Sequence, residues 1–317
     1  MKRTHRRVPY GLLAPFFLVF LLFFAFPFLY SLYLSFFVNS GGKNHFIGLR
    51  NYGVAWQDTN FWYALFRVVY YGVVQVAIML ILALALALLL DSRFVKSKAV
   101  FRIVYFLPYA VPGVIAAIMW GFLYSPQLDP ILSVFKLFTG GNPVNILSNG
   151  HVLYGIVNMA IWEWTGYNMT IYFASLTSIP IELYDAAKID GCNETQVALH
   201  IKLPLLRPTI IMTVVLSIIG SLQLFNEPFI LSSMTSIPWN YTPNMEIYNM
   251  AFAYGNFTYS ATLSIILSVI TFIASLLFMY ATSDERKSKK VRLQKRMVRG
   301  QMGNRSSELR AEGGEVV

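Results

Sequence analysis

Long apolar runs alternate along the chain with short polar, mostly basic segments. The runs are Leu12 to Phe37, Ala64 to Leu90, Val104 to Leu123, Leu153 to Leu176, Thr209 to Met234 and Ala261 to Ala281. About 20 apolar residues in a helix cross the hydrocarbon core of a bilayer. The pattern therefore predicts an all-α integral membrane protein with six transmembrane helices. Pro27 lies deep in the first run, and Pro108 and Pro112 lie in the third. Kinks are expected at these prolines, which neighbouring helices can tolerate by re-satisfying the freed backbone groups.

The basic residues between the runs set an orientation. One side carries Lys2, Arg3, Arg6 and Arg7, then Arg93, Lys96, Lys98 and Arg102, then Lys188, Lys202 and Arg207. The same side holds the tail from Arg286 and Lys287 to Arg310. The other side has Lys43, Arg50 and Lys136, with Arg67 near the mouth of the second span. The positive-inside rule places both termini in the cytoplasm. Residues 1–9 then read as a basic cytoplasmic N-terminus, 10–282 as the transmembrane domain and 283–317 as a basic, lipid-attracted tail. The first run follows a basic start as a signal peptide does. It is too long for one and lacks a small-residue cleavage site, so it reads as a retained span. Trp, Tyr, Asn and Pro in the outer loops, as in Ser236 to Pro243, suit interface anchoring or an external partner.

Composition closes off the soluble classes. Of 317 residues 56% are hydrophobic and only 13% charged, more apolar surface than a water-wetted shell can hide. The net charge of +10 is split into clusters between uncharged runs, which argues for a bilayer rather than nucleic acid. Cys192 is alone, so the chain has no internal disulfide and no cysteine metal cluster. His5, His45, His151 and His200 lack ligand spacing. The nearest approach to a phosphate-binding loop, Gly41-Gly42-Lys43-Asn44, lacks the upstream Gly and the hydroxyl. No nucleotide site is expected on this chain.

Between the fourth and fifth runs, Ser178 to Pro208 is too polar to span and too patterned for a plain loop. Ser178 can cap a helix, Pro180 suits a first turn, and Glu182 favours the positive end of the helix dipole. Leu183, Ala186 and Ala187 share a helical face, and Gly191 stands where a left-handed residue ends a helix. Asn193 can cap a second short helix, with Gln196 three residues on, and that helix is expected to stop by Pro204. The result is a hairpin of two short helices under the membrane. Small Ala186 and Ala187 allow close approach of another surface, with Asp185 and Asp190 supplying charge at its edges. The alternative is an amphipathic helix resting on lipid.

Polar residues inside the spans are costly and mark candidate pathway positions. The fourth span holds Glu163, Trp164, Tyr167 and Asn168, and the fifth holds Ser221, Gln223, Asn226 and Glu227. Helical spacing puts Tyr167 beside Glu163 and Trp164, and Gln223 beside Asn226 and Glu227. Aromatic faces, amides and carboxylates suit sugar C–H surfaces and hydroxyls. The bland reading is that such groups stitch helices together.

The stretch Asp185-Ala186-Ala187, Gly191 and Ile201-Lys202-Leu203-Pro204 resembles the cytoplasmic "EAA" loop of ABC importer permeases. Ser178-Ile-Pro, Leu205 to Pro208, Phe46 to Tyr52 and Phe101-Arg102 resemble the carbohydrate, maltose-type branch, so the similarity covers roughly residues 10 to 282. The resemblance implies that the hairpin between helices 4 and 5 is a coupling helix seated on a cytoplasmic ATPase, contacting it through Asp185, Ala186, Ala187, Asp190 and Gly191. It implies a second homologous permease subunit, two ATPase subunits holding ATP and magnesium, and an extracytoplasmic solute-binding protein. The expected function is passage of a sugar or oligosaccharide across a bacterial plasma membrane, without catalysis by this chain. Asp185 stands where the family has Glu, which shortens the reach of any salt bridge to the ATPase. An ion-coupled secondary transporter is the alternative; it would call for internal repeats and broken helices. A membrane-bound enzyme would need clustered acid, His or Ser chemistry, which Glu163 and Glu227 do not supply.

Overall fold

A computed structural model describes residues 8–92, 95–125, 145–148 and 150–282. Helix α1 (Val8–Phe20) passes through a π turn, Leu21–Ala25, into α2 (Phe26–Leu34). Strands β1 (Phe37–Ser40) and β2 (Lys43–Phe46) follow, then α3 (Arg50–Trp56) and the 33-residue α4 (Thr59–Asp91). Next come α5 (Lys98–Phe106), a 3-10 turn Leu107–Ala110, α6 (Gly113–Leu123) and α7 (Val152–Thr177). Then α8 (Ile181–Ile189) and α9 (Glu194–Val197) lead through a second π turn, Ala198–Lys202, into α10 (Leu203–Leu222). Short α11 (Asn226–Leu231) and α12 (Pro243–Phe252) precede α13 (Phe257–Thr282). Contacts divide the chain after Thr271, and the described part of the second unit, 272–282, is the end of α13. The expected tails, 1–9 and 283–317, lie outside the described residues except for positions 8 and 9.

Among the described residues four helical stretches are long and apolar enough to cross a membrane, and five if the bent pair Lys98–Ala110 and Gly113–Leu123 makes one span. The 18-residue apolar window of Leu12–Leu34 holds no buried residue, and most of its aromatic rings are exposed. The packed centre is α4 against α7, closed by α10. Ala83 and Ala87 of α4 lie fully buried against Met169, Tyr172 and Leu176 of α7 and Leu206 of α10. Small side chains at such a seam let helix backbones approach closely. The hydroxyls of Tyr172 and Thr213 share a hydrogen bond of 2.5 Å, satisfying both in an apolar setting.

The prolines act in two ways, and the kink expected in the third run is present. Each π turn is followed by a residue that directly precedes a proline, Phe26 before Pro27 and Leu203 before Pro204. Phe26 N–H reaches back to Leu21 O, and Leu203 N–H to Ala198 O, one residue further than an α-helix allows. The widened turn absorbs the clash a proline ring makes with the preceding turn. The helix entering α10 therefore does not stop by Pro204, and it continues past Pro208 as well. At Pro112 no such turn forms, and the chain bends by 92°. The fifth span also breaks: Gln223 ends α10, and α11 restarts at Asn226.

The all-α expectation needs one amendment. Strands β1 and β2 pair antiparallel with Ser40 opposite Lys43, joined by Gly41 and Gly42 at φ 58° and 77°. Two positive-φ residues make the tight turn that matches strand twist. Beside it, Asn51 Nδ2 donates to Ser35 O at 3.0 Å and to Phe37 O at 2.8 Å. At the same end Asp58 caps α4, accepting from Asn60 N at 3.1 Å, and Tyr259 OH donates to Asp58 Oδ2 at 2.7 Å. Near the mouth of the second span, Arg67 Nη1 donates to Tyr241 O at 2.7 Å and lies 4.4 Å above the Tyr241 ring.

Glu246 of α12 is fully buried here, outside the apolar spans, with neither carboxylate oxygen hydrogen-bonded among the described residues. Burial first, then the charge of Asp58, pushes its carboxyl from 4.5 up to about 8. The folded protein thus holds a proton that the unfolded chain has already lost. Its contribution to stability is complete below the unfolded value and declines as pH rises through the folded one. The melting temperature of Glu246→Gln should gain on the parent from about pH 5 to about pH 8 and level off above that. A constant offset across that window in differential scanning fluorimetry would refute the assignment.

Candidate functional site

A cavity of about 430 Å³ opens where α4, α7 and α10 meet the 92° bend. Tyr71 and Gln75 of α4 form one wall, and Trp164, Tyr167 and Asn168 of α7 another. The 3-10 turn at the bend contributes Tyr109, while α10 and its broken end supply Thr213, Ser217, Gln223, Asn226 and Glu227. The Tyr109 ring stacks on Tyr167 at 4.4 Å between centroids, and Trp164 meets both edge-on, at 5.2 Å and 5.7 Å. Such a cluster offers one continuous aromatic surface with polar groups around it, the usual make-up of a small-molecule site.

Spacing alone put Glu163, Trp164 and Tyr167 on one side. The structure brings Trp164, Tyr167 and Asn168 to the cavity, whereas Glu163 is buried behind the wall, within electrostatic range of Tyr71 and Glu227. Gln223, Asn226 and Glu227 do line the space together, but across a break in the helix rather than along one face. Glu227 Oε1 points at the start of α6, 3.4 Å from where a Cβ on Gly113 would stand. A carboxylate favours the positive end of a helix, which explains this placement. Asn168 is partly committed to structure: its Nδ2 donates to Trp164 O at 3.0 Å and to Met79 Sδ at 3.3 Å. Gln75 Nε2 shares Met79 Sδ at 3.4 Å, so the stitching role and the lining role coincide at this wall.

Tyr71, Gln75, Tyr109, Thr213 and Ser217 were missed by the sequence reading. Pro108 and Pro112 were the available signal for Tyr109, since a residue between two expected breaks can leave the helix face. Gln75, the lone amide in the apolar run Ala64 to Leu90, was the available signal on that helix. A second cavity of about 360 Å³ adjoins the first through Gln223 and Phe225. Phe225 stacks on Phe229 at 4.9 Å and tilts against Tyr248 at 5.4 Å.

At the opposite end, α8 and α9 form a bent helix pair. Pro180 precedes α8, while Ser178 finishes α7 instead of capping α8, its Oγ donating to Ser175 O at 2.7 Å. Gly191 adopts φ 77°, with Cys192 N donating to Ala187 O at 2.9 Å and Gly191 N to Lys188 O at 3.1 Å. These two bonds and the left-handed glycine are a Schellman stop. Asn193 and Gln196 then exchange bonds of 2.8 Å as a capping box. Asp185, Ala186 and Asp190 are exposed, as are Leu183 and Ile189, but Ala187 is 5% exposed and packs inward. The small-residue face available to another surface is thus Ala186 with its neighbours. No group of three or more potential metal ligands occurs among the described residues.

Residues 79–289 match the family described as binding-protein-dependent transport system inner membrane component. The chain is 31% identical to the arabinooligosaccharides transport system permease protein AraP of Bacillus subtilis, over 86% of this chain and 88% of that one. It is 35% identical to the lactose transport system permease protein LacF of Rhizobium radiobacter, covering 83% and 90%. A trehalose/maltose transport system permease protein, MalF of Thermococcus litoralis, is 31% identical over 88% and 93%. Among solved structures, a bacterial ABC transporter involved in import of the acidic polysaccharide alginate superposes with a TM-score of 0.77 at 20% identity, covering 89% of this chain and 97% of that one. That likeness carries the fold.

Proposed function

The chain belongs to the binding-protein-dependent transport system inner membrane components, and on that premise we propose that it is a permease subunit passing a sugar or oligosaccharide inward. The carrying observation is the cavity, whose aromatic platform and ring of amides, hydroxyls and one carboxylate suit a polyhydroxylated solute. Relatives named for arabinooligosaccharide, lactose and trehalose/maltose transport support the same class. The ion-coupled alternative has no support in a family defined by dependence on a binding protein and is set aside.

The full arrangement proposed is six spans, counting α7 and the bent pair with the four apolar stretches, and both termini in the cytoplasm. The basic residues Lys188, Lys202 and Arg207, in and between α8 and α10, support that orientation. The helix pair 181–202 then lies in the cytoplasm and couples to an ATPase. Asp185, Ala186, Asp190 and Gly191 form its docking edge, and Ala187 packs behind it. The exposed Ile181, Leu183 and Ile189 support a docking role, because water leaves such a cluster unpaid for unless something covers it. A second permease subunit, two ATPase subunits holding ATP and magnesium, and an extracytoplasmic binding protein complete the assembly. Glu163, Trp164, Tyr167, Asn168, Gln223, Asn226 and Glu227 are assigned to the solute path, with Glu163 acting behind the wall.

Uptake of labelled neutral oligosaccharides by cells carrying the whole system tests this reading. Tyr109→Ala and Glu227→Ala should each lower uptake about tenfold with complex yield unchanged, the loss expected when one well-placed contact goes. If no saccharide enters in dependence on this chain, the sugar assignment is wrong.

A further inference from the structure

Lys202 occupies the last position of the π turn leading into α10, and only 8% of it is exposed. Its Nζ stands 2.7 Å from Asp91 Oδ2, on the last residue of α4. The same ammonium lies 5.4 Å from the ring centre of Tyr184, on α8. Lys98 Nζ adds a bond of 3.3 Å to the Asp91 carbonyl, where a helix end attracts cations. One side chain therefore gathers three elements: the end of α4, the first helix of the pair and the start of α10. The Tyr184 hydroxyl is buried there without a hydrogen-bond partner among the described residues, so its ring is the part in use.

The neighbouring ion pair provides a contrast. Lys188 and Asp185 are 3.5 Å apart with side chains 65% and 60% exposed, and water screens such a pair to near nothing. The Lys202 and Asp91 side chains are 10% and 17% exposed. Removing either partner would strand the other charge in an apolar setting.

We propose that the Lys202–Asp91 ion pair carries displacement of the helix pair into α4, so that α4 is driven alongside α10. This rests on the coupling role assigned above. The connection to α10 is covalent but soft, running through the π turn and then interrupted between Gln223 and Phe225. By contrast α4 runs for 33 residues with no proline and no break, a rod of ~50 Å. A push at Asp91 reaches Tyr71 and Gln75 on the cavity wall. Lys202 is a positioning residue in this scheme and does not touch the solute.

The test uses the complete importer in membrane vesicles, reading solute taken up per ATP hydrolysed, with the amount of assembled complex measured after extraction. Lys202→Met and Asp91→Leu should keep ATP hydrolysis while lowering uptake per ATP about tenfold, and the charge swap Asp91→Lys with Lys202→Asp should restore most of it. An unchanged ratio in either single variant overturns the proposal. So does a parallel fall of both activities that tracks lost complex, or a swap that restores nothing. Gly191→Pro serves as the reference arm. Normal uptake in that variant would bring down the coupling role itself, whereas its failure beside a normal Lys202→Met brings down only the linkage.

Discussion

Gly166→Val should leave almost no assembled protein. In α7, Gly166 lies directly under the Tyr105 carbonyl of α5, and a Cβ there would overlap the backbone oxygen and carbon of Tyr105 and crowd Phe106 N. The obstacle is main chain, so no rotamer change relieves it; α5 would have to lift off α7. That separation would also displace Tyr109, three residues beyond Phe106, from its stack on Tyr167. Tight interiors tolerate added volume poorly even where side chains can yield. We expect the extractable, monodisperse yield to fall at least about tenfold for Val, with Ala in between. Gly220 gives the contrast: a Cβ there meets nothing within 4 Å, so Gly220→Ala should preserve yield. Wild-type yield from Gly166→Val would show that the two backbones are not in contact.

Gly191→Pro should abolish uptake while the protein still inserts and folds. Gly191 holds φ 77° and donates its N–H to Lys188 O. Proline can do neither, because its ring fixes φ near −65° and removes the N–H. The bend between α8 and α9 would be lost, and with it the presentation of Asp185, Ala186 and Asp190. Nothing lies within 4 Å of a Cβ at this position, so the defect is conformational and not steric. Asn, which tolerates left-handed geometry, should retain most uptake, and Ala should lose about 1–2 kcal/mol of local stability. An order other than Gly, Asn, Ala, Pro in transport assays would detach function from this geometry.

The helix pair was readable in detail because its interactions are local. Gly191 and Cys192 close bonds to residues three and five positions back respectively, and Asn193 and Gln196 cap each other across three. The apolar runs were readable for a similar reason: a span must carry its own hydrophobicity residue by residue. Pro204 misled because a proline reads as a stop. Only the backbone reveals that a π turn has shifted the register ahead of it. Ala186 and Ala187 looked equivalent, yet one is exposed and the other packs inward, a difference made by what lies beneath α8.

By itself the sequence determined the membrane setting, the polar positions inside the spans, and the Gly191 bend and Asn193 cap of the segment between α7 and α10. Tertiary structure alone decided which polar residues share a cavity, that Tyr109 joins Trp164 and Tyr167, and that Asp91 meets Lys202 across more than a hundred positions. The division follows the range of the forces. Hydropathy, dihedral preference and capping act within a few residues. An ion pair or a shared cavity depends on the direction in which long helices leave their bends, and at Pro112 that direction turns by 92°.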